Sequence, residues 1–277
     1  MLELQVRSLE LRQTVLDMIK KAGTGHIGGD FSVMDILVVL YFNHMNIGPE
    51  NQTDPNRDLF VLSKGHCIES YYAVLAAKGF FPIDTVLDSF SAFHSPFIGH
   101  PNNHLPGIEM NSGSLGHGLS VSVGMALASK MDGRTNRVYT VMGDGELAEG
   151  SVWEGFMAGG HYELGNLCAV IDRNGLQISG STETVMAQED LAARIRAFRW
   201  NVITVNGNNL TDLDAAVASA KLVTDRPSCI IANTIKGYGG GKMMENKAEW
   251  HHKVPTDEEY QLIAAELTRR KEAILRA

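Results

Sequence analysis

Five short apolar runs set the fold of this chain: Asp58–Leu62, Val138–Met142, Leu167–Ile171, Val202–Val205 and Cys229–Asn233. They are near-continuous in apolar character rather than alternating. That pattern belongs to strands buried on both faces, as in a parallel sheet covered by helices on each side. The intervening segments supply the helices. Leu4, Leu11, Val15, Met18 and Ile19 recur near helical spacing, so residues 3–21 read as an amphipathic helix that ends at Gly23. Further helices are predicted over Met34–Asn43, 67–78, Leu119–Lys130, 149–162 and 211–223, the last with Thr211 as N-cap. Thr256-Asp-Glu-Glu259 is a capping box that opens a C-terminal helix. Residues 92–112 hold three prolines, three histidines and three asparagines and are expected to be loop. Strands alternating with helices predict a doubly wound α/β fold with a mainly parallel sheet.

No repeat, low-complexity tract or long linker divides the 277 residues, so one domain over 1–277 is expected. The net charge of −8 leaves no excess of cations for nucleic-acid phosphates. No wholly apolar run is longer than Ile36–Phe42, which is far short of a membrane span, and the N-terminus lacks a signal-peptide pattern. Cys67, Cys168 and Cys229 make neither a metal spacing nor a disulfide framework, which suits a reducing cytoplasm.

Glycine is over-represented, and its clusters fall where strands end, which is where ligands bind in open α/β sheets. Gly143-Asp144-Gly145-Glu146 follows a strand and precedes a helix. Its backbone N–H groups favour an anion. Asp144 would repel a phosphate, and a divalent cation (Mg²⁺ or Ca²⁺) bound to both resolves the conflict. Asn174 ends the next strand thirty residues later, about one βαβ crossover, so its carbonyl oxygen can meet Asp144. A turn at Gly175 would aim the Leu176 carbonyl at the same ion.

The run from Gly143-Asp144-Gly145 through Asn174 resembles the thiamine diphosphate motif, and within that superfamily the chain resembles transketolase. Gly25-His26-Ile27-Gly28, Ser63-Lys64-Gly65-His66, Gly99-His100-Pro101 and Ser112-Gly-Ser-Leu-Gly-His-Gly118 are similar to family segments in family order. So are Thr224–Ser228, Thr234-Ile-Lys-Gly237 and Trp250-His251-His252. The resemblance implies that Asp144, Asn174 and the Leu176 carbonyl hold the metal, and that Gly145, His66 and Asn174 contact the diphosphate. Gly113, Ser114 and Leu115 would support the pyrimidine end. His26, His100 and His251 would ring the reactive carbon, His251 also touching the cofactor. Ser114 stands where the family has proline and His117 where it has glutamine. His252 stands where the family usually has glycine, so either His251 or His252 could fill the role.

The resemblance covers a transketolase's first domain. It implies that the pyrimidine-binding and C-terminal domains are absent and come from a separate C-terminal subunit, in an α2β2 assembly. The implied reaction moves a two-carbon ketol unit between sugar phosphates. Two alternatives stand beside it: the α subunit of a 2-oxo acid dehydrogenase, and a non-catalytic cofactor-binding module.

Overall fold

The structure, a computed structural model, describes residues 1–276. Five strands form one all-parallel sheet: β1 (Leu59–Leu62), β2 (Val138–Gly143), β3 (Leu167–Arg173), β6 (Asn201–Asn206) and β7 (Ser228–Asn233), in the order β1-β2-β3-β7-β6. β4 (Leu176–Gln177) and β5 (Gly180–Ser181) make a small antiparallel hairpin beyond β3, which apolar patterning does not reveal. The apolar runs divide their side chains between two faces, as the pleat requires. Phe60, Leu62, Tyr139, Val141, Cys168, Val170, Ile230 and Ala232 face α1 (Leu2–Ala22), α2 (Ile27–Val39), α3 (Ile68–Ala77) and α9 (Leu210–Leu222). Val138, Met142, Leu167, Ala169, Ile171, Cys229 and Ile231 face α5 (Gly118–Met131), α6 (Gly150–His161) and α8 (Leu191–Ala197). Helices therefore cover both faces, as expected, and no helix among the described residues is long and apolar enough to cross a membrane.

Some helix ends follow local chemistry. Gly23 closes α1 in the left-handed conformation at φ 68°. The capping box is present: Glu259 N–H donates to Thr256 Oγ1 at 3.2 Å, and Thr256 N–H to Glu259 Oε2 at 2.9 Å. They open α10 (Asp257–Arg276). Two expectations are corrected, and one helix is new. The cap of α9 is Asn209, whose Oδ1 accepts from the Thr211 and Asp212 N–H groups, so Thr211 lies inside the helix. A short helix, α4 (Ile83–Ser89), precedes the 92–112 loop. α2 begins at Ile27, seven residues before the predicted start. Its early glycines are packing residues rather than loop: a Cβ on Gly28 would lie 2.5 Å from the Trp250 carbonyl oxygen.

β1, β2 and β3 lie side by side in chain order; the chain then crosses to β6 at the edge and returns through β7. The carboxyl ends of β1, β2, β3 and β7 are thus neighbours. Gly143 pairs with Asp172, and Arg173 with Asn233, which brings the segments after these strands together.

Candidate functional site

At these strand ends lies a cleft of about 480 Å³, walled by residues from the segments after β1, β2, β3 and β7 and from the start of α2. Asp144 is 2 % exposed. Its Oδ1 accepts from the Gly145 N–H at 2.9 Å and its Oδ2 from the Gly175 N–H at 2.6 Å. The loop after β2 and the turn after β3 are therefore tied through this one carboxylate. Its pKa is pushed up to about 6, first by burial and then by the nearby Asp172. Asn174 Oδ1 accepts from the Leu176 N–H at 3.1 Å, which holds the Leu176 carbonyl at the cleft wall. Asp144, Asn174 and Leu176 thus converge.

Two lysines that sequence reasoning left without a role stand beside them. Lys64 is 1 % exposed and ion-paired to Asp172. Asp172 also accepts from Ser32 Oγ at 2.6 Å and from Thr234 Oγ1. Burial opposes the Lys64 charge, but Asp172 outweighs it and holds the ammonium above its usual range. Lys236 is 2 % exposed, donates to His251 Nδ1 at 2.9 Å and reaches the Leu176 carbonyl only at 3.5 Å. Burial and then Lys64 lower its pKa to about 8. The signal that could have found both is position: each lysine sits just past a strand, ahead of a glycine that ends the same segment, Ser63-Lys64-Gly65 and Ile235-Lys236-Gly237. Glu146, also unassigned from sequence, braces the floor. It accepts from the Gly116 N–H at 2.8 Å, the Gly143 N–H at 3.1 Å and Ser63 Oγ.

The predicted histidines gather at the mouth. The His26 ring centroid lies 5.4 Å from His66, 6.3 Å from His100 and 5.7 Å from His251. His26, His66 and His251 line the cleft; His100 stands behind them against Gly113, where a Cβ would lie 3.0 Å from its ring. The His251 Nδ1 contact with Lys236 places the ring proton on Nε2. His252 is exposed, its ring 4.6 Å from His26, so His251 is the cleft residue of the two. Gly113 and Leu115 line the cleft, whereas Ser114 is exposed and outside it. Cys67 is fully buried, and burial pushes its thiol well up, so it is packing and not a nucleophile. Burial, followed by neighbouring positive groups, lowers His26 to about 4 and His251 to about 3 and holds His66 well below the usual imidazole value. All three are neutral at pH 7. Their ring proton resonances, followed by NMR, are expected to stay flat from pH 8 to pH 5, whereas an ordinary exposed histidine titrates within that window.

The strand ends thus gather buried charges of both signs and a ring of histidines around one cleft. Residues 5–270 match the family described as "Transketolase, thiamine diphosphate binding domain", and the chain belongs to that family. It is 46% identical over 276 residues to one subunit of the apulose-4-phosphate transketolase of Phocaeicola vulgatus, covering 98% of each chain. It is 41% identical over 267 residues to a 6-deoxy-6-sulfo-D-fructose transketolase subunit of Clostridium sp., covering 96% of each. Against human transketolase it is 37% identical over 244 residues, 88% of this chain but 38% of that one. The crystal structure of transketolase from Campylobacter jejuni superposes with a TM-score of 0.90 at 28% identity. That match covers 98% of this chain and 45% of the other, so the chain spans less than half the length of the solved transketolase.

Proposed function

We propose that this chain is the diphosphate- and metal-holding subunit of a two-chain transketolase, acting with a separate C-terminal subunit that carries the pyrimidine-binding domain. The observation that supports this most is the convergence of Asp144, Asn174 and the Leu176 carbonyl beside Lys236, a buried ammonium whose acceptors are a neutral imidazole and a carbonyl at 3.5 Å. A buried cation so poorly matched favours an anion, and a buried carboxylate with a raised pKa favours a cation. A metal-bridged diphosphate satisfies both. The relatives similar over their whole length are named as transketolase subunits, which supports the two-chain reading and disfavours a 2-oxo acid dehydrogenase α subunit or an inert module.

Asp144, Asn174 Oδ1 and the Leu176 carbonyl would hold Mg²⁺ or Ca²⁺, both oxygen-seeking ions. The Gly145 N–H, His66, Asn174, Lys64 and Lys236 would face the diphosphate. Gly113, Ser114 and Leu115 would support the pyrimidine end, where the partner closes the cage. Thiamine diphosphate supplies the carbanion chemistry when bound. His26, His100 and His251 hold substrate hydroxyls and pass protons. A neutral imidazole is suited to this because it donates from one ring nitrogen and accepts at the other. The expected donor is a ketose with an anionic end. Apulose 4-phosphate and a sulfonated fructose, in the names of the relatives, both fit that class. The assembly is expected to be α2β2, in the cytoplasm, where the free thiols Cys67, Cys168 and Cys229 stay reduced.

The chain is expected to show no ketol transfer when purified alone with thiamine diphosphate and Mg²⁺, and to gain it once the partner is added. Aldehyde release from the ketose donor, followed in a coupled assay, measures this. Full transfer by the isolated chain would overturn the two-chain reading.

A further inference from the structure

Beneath the histidine cluster lies an acid pair that the proposed chemistry does not use. Asp30, in the first turn of α2, and Glu69, in the first turn of α3, are both 0 % exposed. The two acids are neighbours: Asp30 is anchored on the N–H of Ser70, the residue that follows Glu69. Asp30 Oδ1 accepts from the Ser70 N–H at 2.8 Å, and the Asp30 carbonyl accepts from Ser70 Oγ at 2.9 Å. Asp30 Oδ2 and both Glu69 oxygens have no hydrogen-bond partner while both groups are ionised. Two carboxylates in a dry site repel, and among the described residues no cation pairs with either of them. One proton between them joins two of the three orphaned oxygens in a hydrogen bond and removes the repulsion. Burial accordingly raises both acids, and for Glu69 the charge of Asp30 adds to it.

The position of the pair gives it a role. α2 carries His26 at its N-cap, and α3 follows the turn that carries His66. Glu69 fills the space under the Gly25–His26 peptide. A Cβ on Gly25, which sits at φ 149°, would lie 2.6 Å from Glu69 Oε1. The titratable groups facing the pair are Lys64 and Cys67 from the turn after β1 and Tyr72 from α3; the His26 backbone N–H lies against Glu69, and α1 presents the apolar Ile19. We infer that Asp30 and Glu69 share a single proton and act as a clasp between α2 and α3 that positions His26 against His66.

The activity arm of the test rests on the transketolase reading; the spectroscopic and melting arms do not. Infrared spectra of the full chain with ¹³C-labelled glutamate or aspartate at pH 8 are expected to contain a protonated-carboxyl band that shifts with the label. Absence of that band in the wild-type chain overturns the shared proton. Melting temperature is expected to fall more steeply from pH 6 to pH 9 in wild type than in Glu69→Gln, whose amide donates to Asp30 at every pH. Equal slopes overturn the pair, and Asp30→Asn serves as the second variant if Glu69→Gln does not fold. In the reconstituted enzyme, Glu69→Leu is expected to lower kcat by about tenfold to 100-fold with little change in KM for the donor, as for a misplaced reacting group. Glu69→Gln should recover part of that loss. Unchanged kcat in Glu69→Leu overturns the positioning role. Should the wild-type assembly transfer nothing while the band and the slopes hold, the transketolase reading fails and the clasp stands.

Discussion

Asp144→Ala is expected to remove ketol transfer by the reconstituted enzyme and to abolish the rise in melting temperature that metal plus thiamine diphosphate gives the wild type. Asp144 is the sole carboxylate of the three proposed ligands, so the variant leaves the divalent ion two neutral oxygens. Deleting one partner of a buried charge contact costs about 3–5 kcal/mol, or roughly 10²–10⁴-fold in metal affinity. The fold itself should survive. The carboxylate of Asp144 ties two loops through the Gly145 and Gly175 N–H groups, but the sheet beneath them is independent of it. Calorimetry of Mg²⁺ and cofactor binding to the assembly, together with the melting shift, checks this. A retained shift would remove Asp144 from the site.

The pH dependence of the metal-free chain gives a second reading of the same residue. Asp144 is raised to about 6 in the folded state, against about 4 when unfolded. The folded state therefore binds this proton better. Its contribution to stability is fully present below about pH 4 and is lost as the pH rises through about 6. A bound cation reverses this by favouring the carboxylate. Asp144→Asn without metal should thus melt with a flatter profile between pH 4 and pH 7 than wild type does, while failing to respond to Mg²⁺.

The second large effect is expected from Lys64→Ala, and it is structural first. Lys64 and Asp172 are 1 % and 0 % exposed in their side chains and form an ion pair beneath the cleft. Removing the ammonium leaves Asp172 charged in a dry place, with only the hydroxyls of Ser32 and Thr234 to compensate. The loss is expected at about 3–5 kcal/mol of unfolding free energy, readable as a drop in denaturation midpoint with an unchanged slope. Lys64→Ala with Asp172→Asn removes both charges and should recover much of that stability, because the uncompensated carboxylate is the cost. Cofactor affinity should stay low in the double variant, since the cation facing the diphosphate is still gone. Full recovery of affinity would confine Lys64 to a structural role.

Much of the site was legible in the chain because its residues come in short segments that follow strands. Gly143-Asp144-Gly145 and Asn174 could be found from local order, since strand ends in a parallel sheet converge, whereas His66 and His26 were found by their resemblance to family segments. Ser63-Lys64 and Ile235-Lys236 lay in the same segments, yet a lysine beside a glycine looks the same in sequence whether it is buried or solvated. Their burial depends on the packing of α2 and of the Trp250 segment over the strand ends. Gly28 and Gly29 lie in the first turn of α2, ahead of the helix start predicted at Met34, and are bare so that Trp250 and Cys67 can approach. The choice between His251 and His252 likewise needed the Lys236 contact, which links residues fifteen apart.

Sequence alone determined the class of fold and the position of the metal-ligand candidates along it. Apolar periodicity and glycine-flanked strand ends are local properties, and the order of the strands constrains where they lead. Only the tertiary structure decided which charges are buried and which are matched: Lys64 with Asp172, Lys236 with almost nothing, Asp30 with Glu69. The physical reason is that the energy of a charge is set by its solvent and its neighbours in space, and the packing of distant segments supplies both.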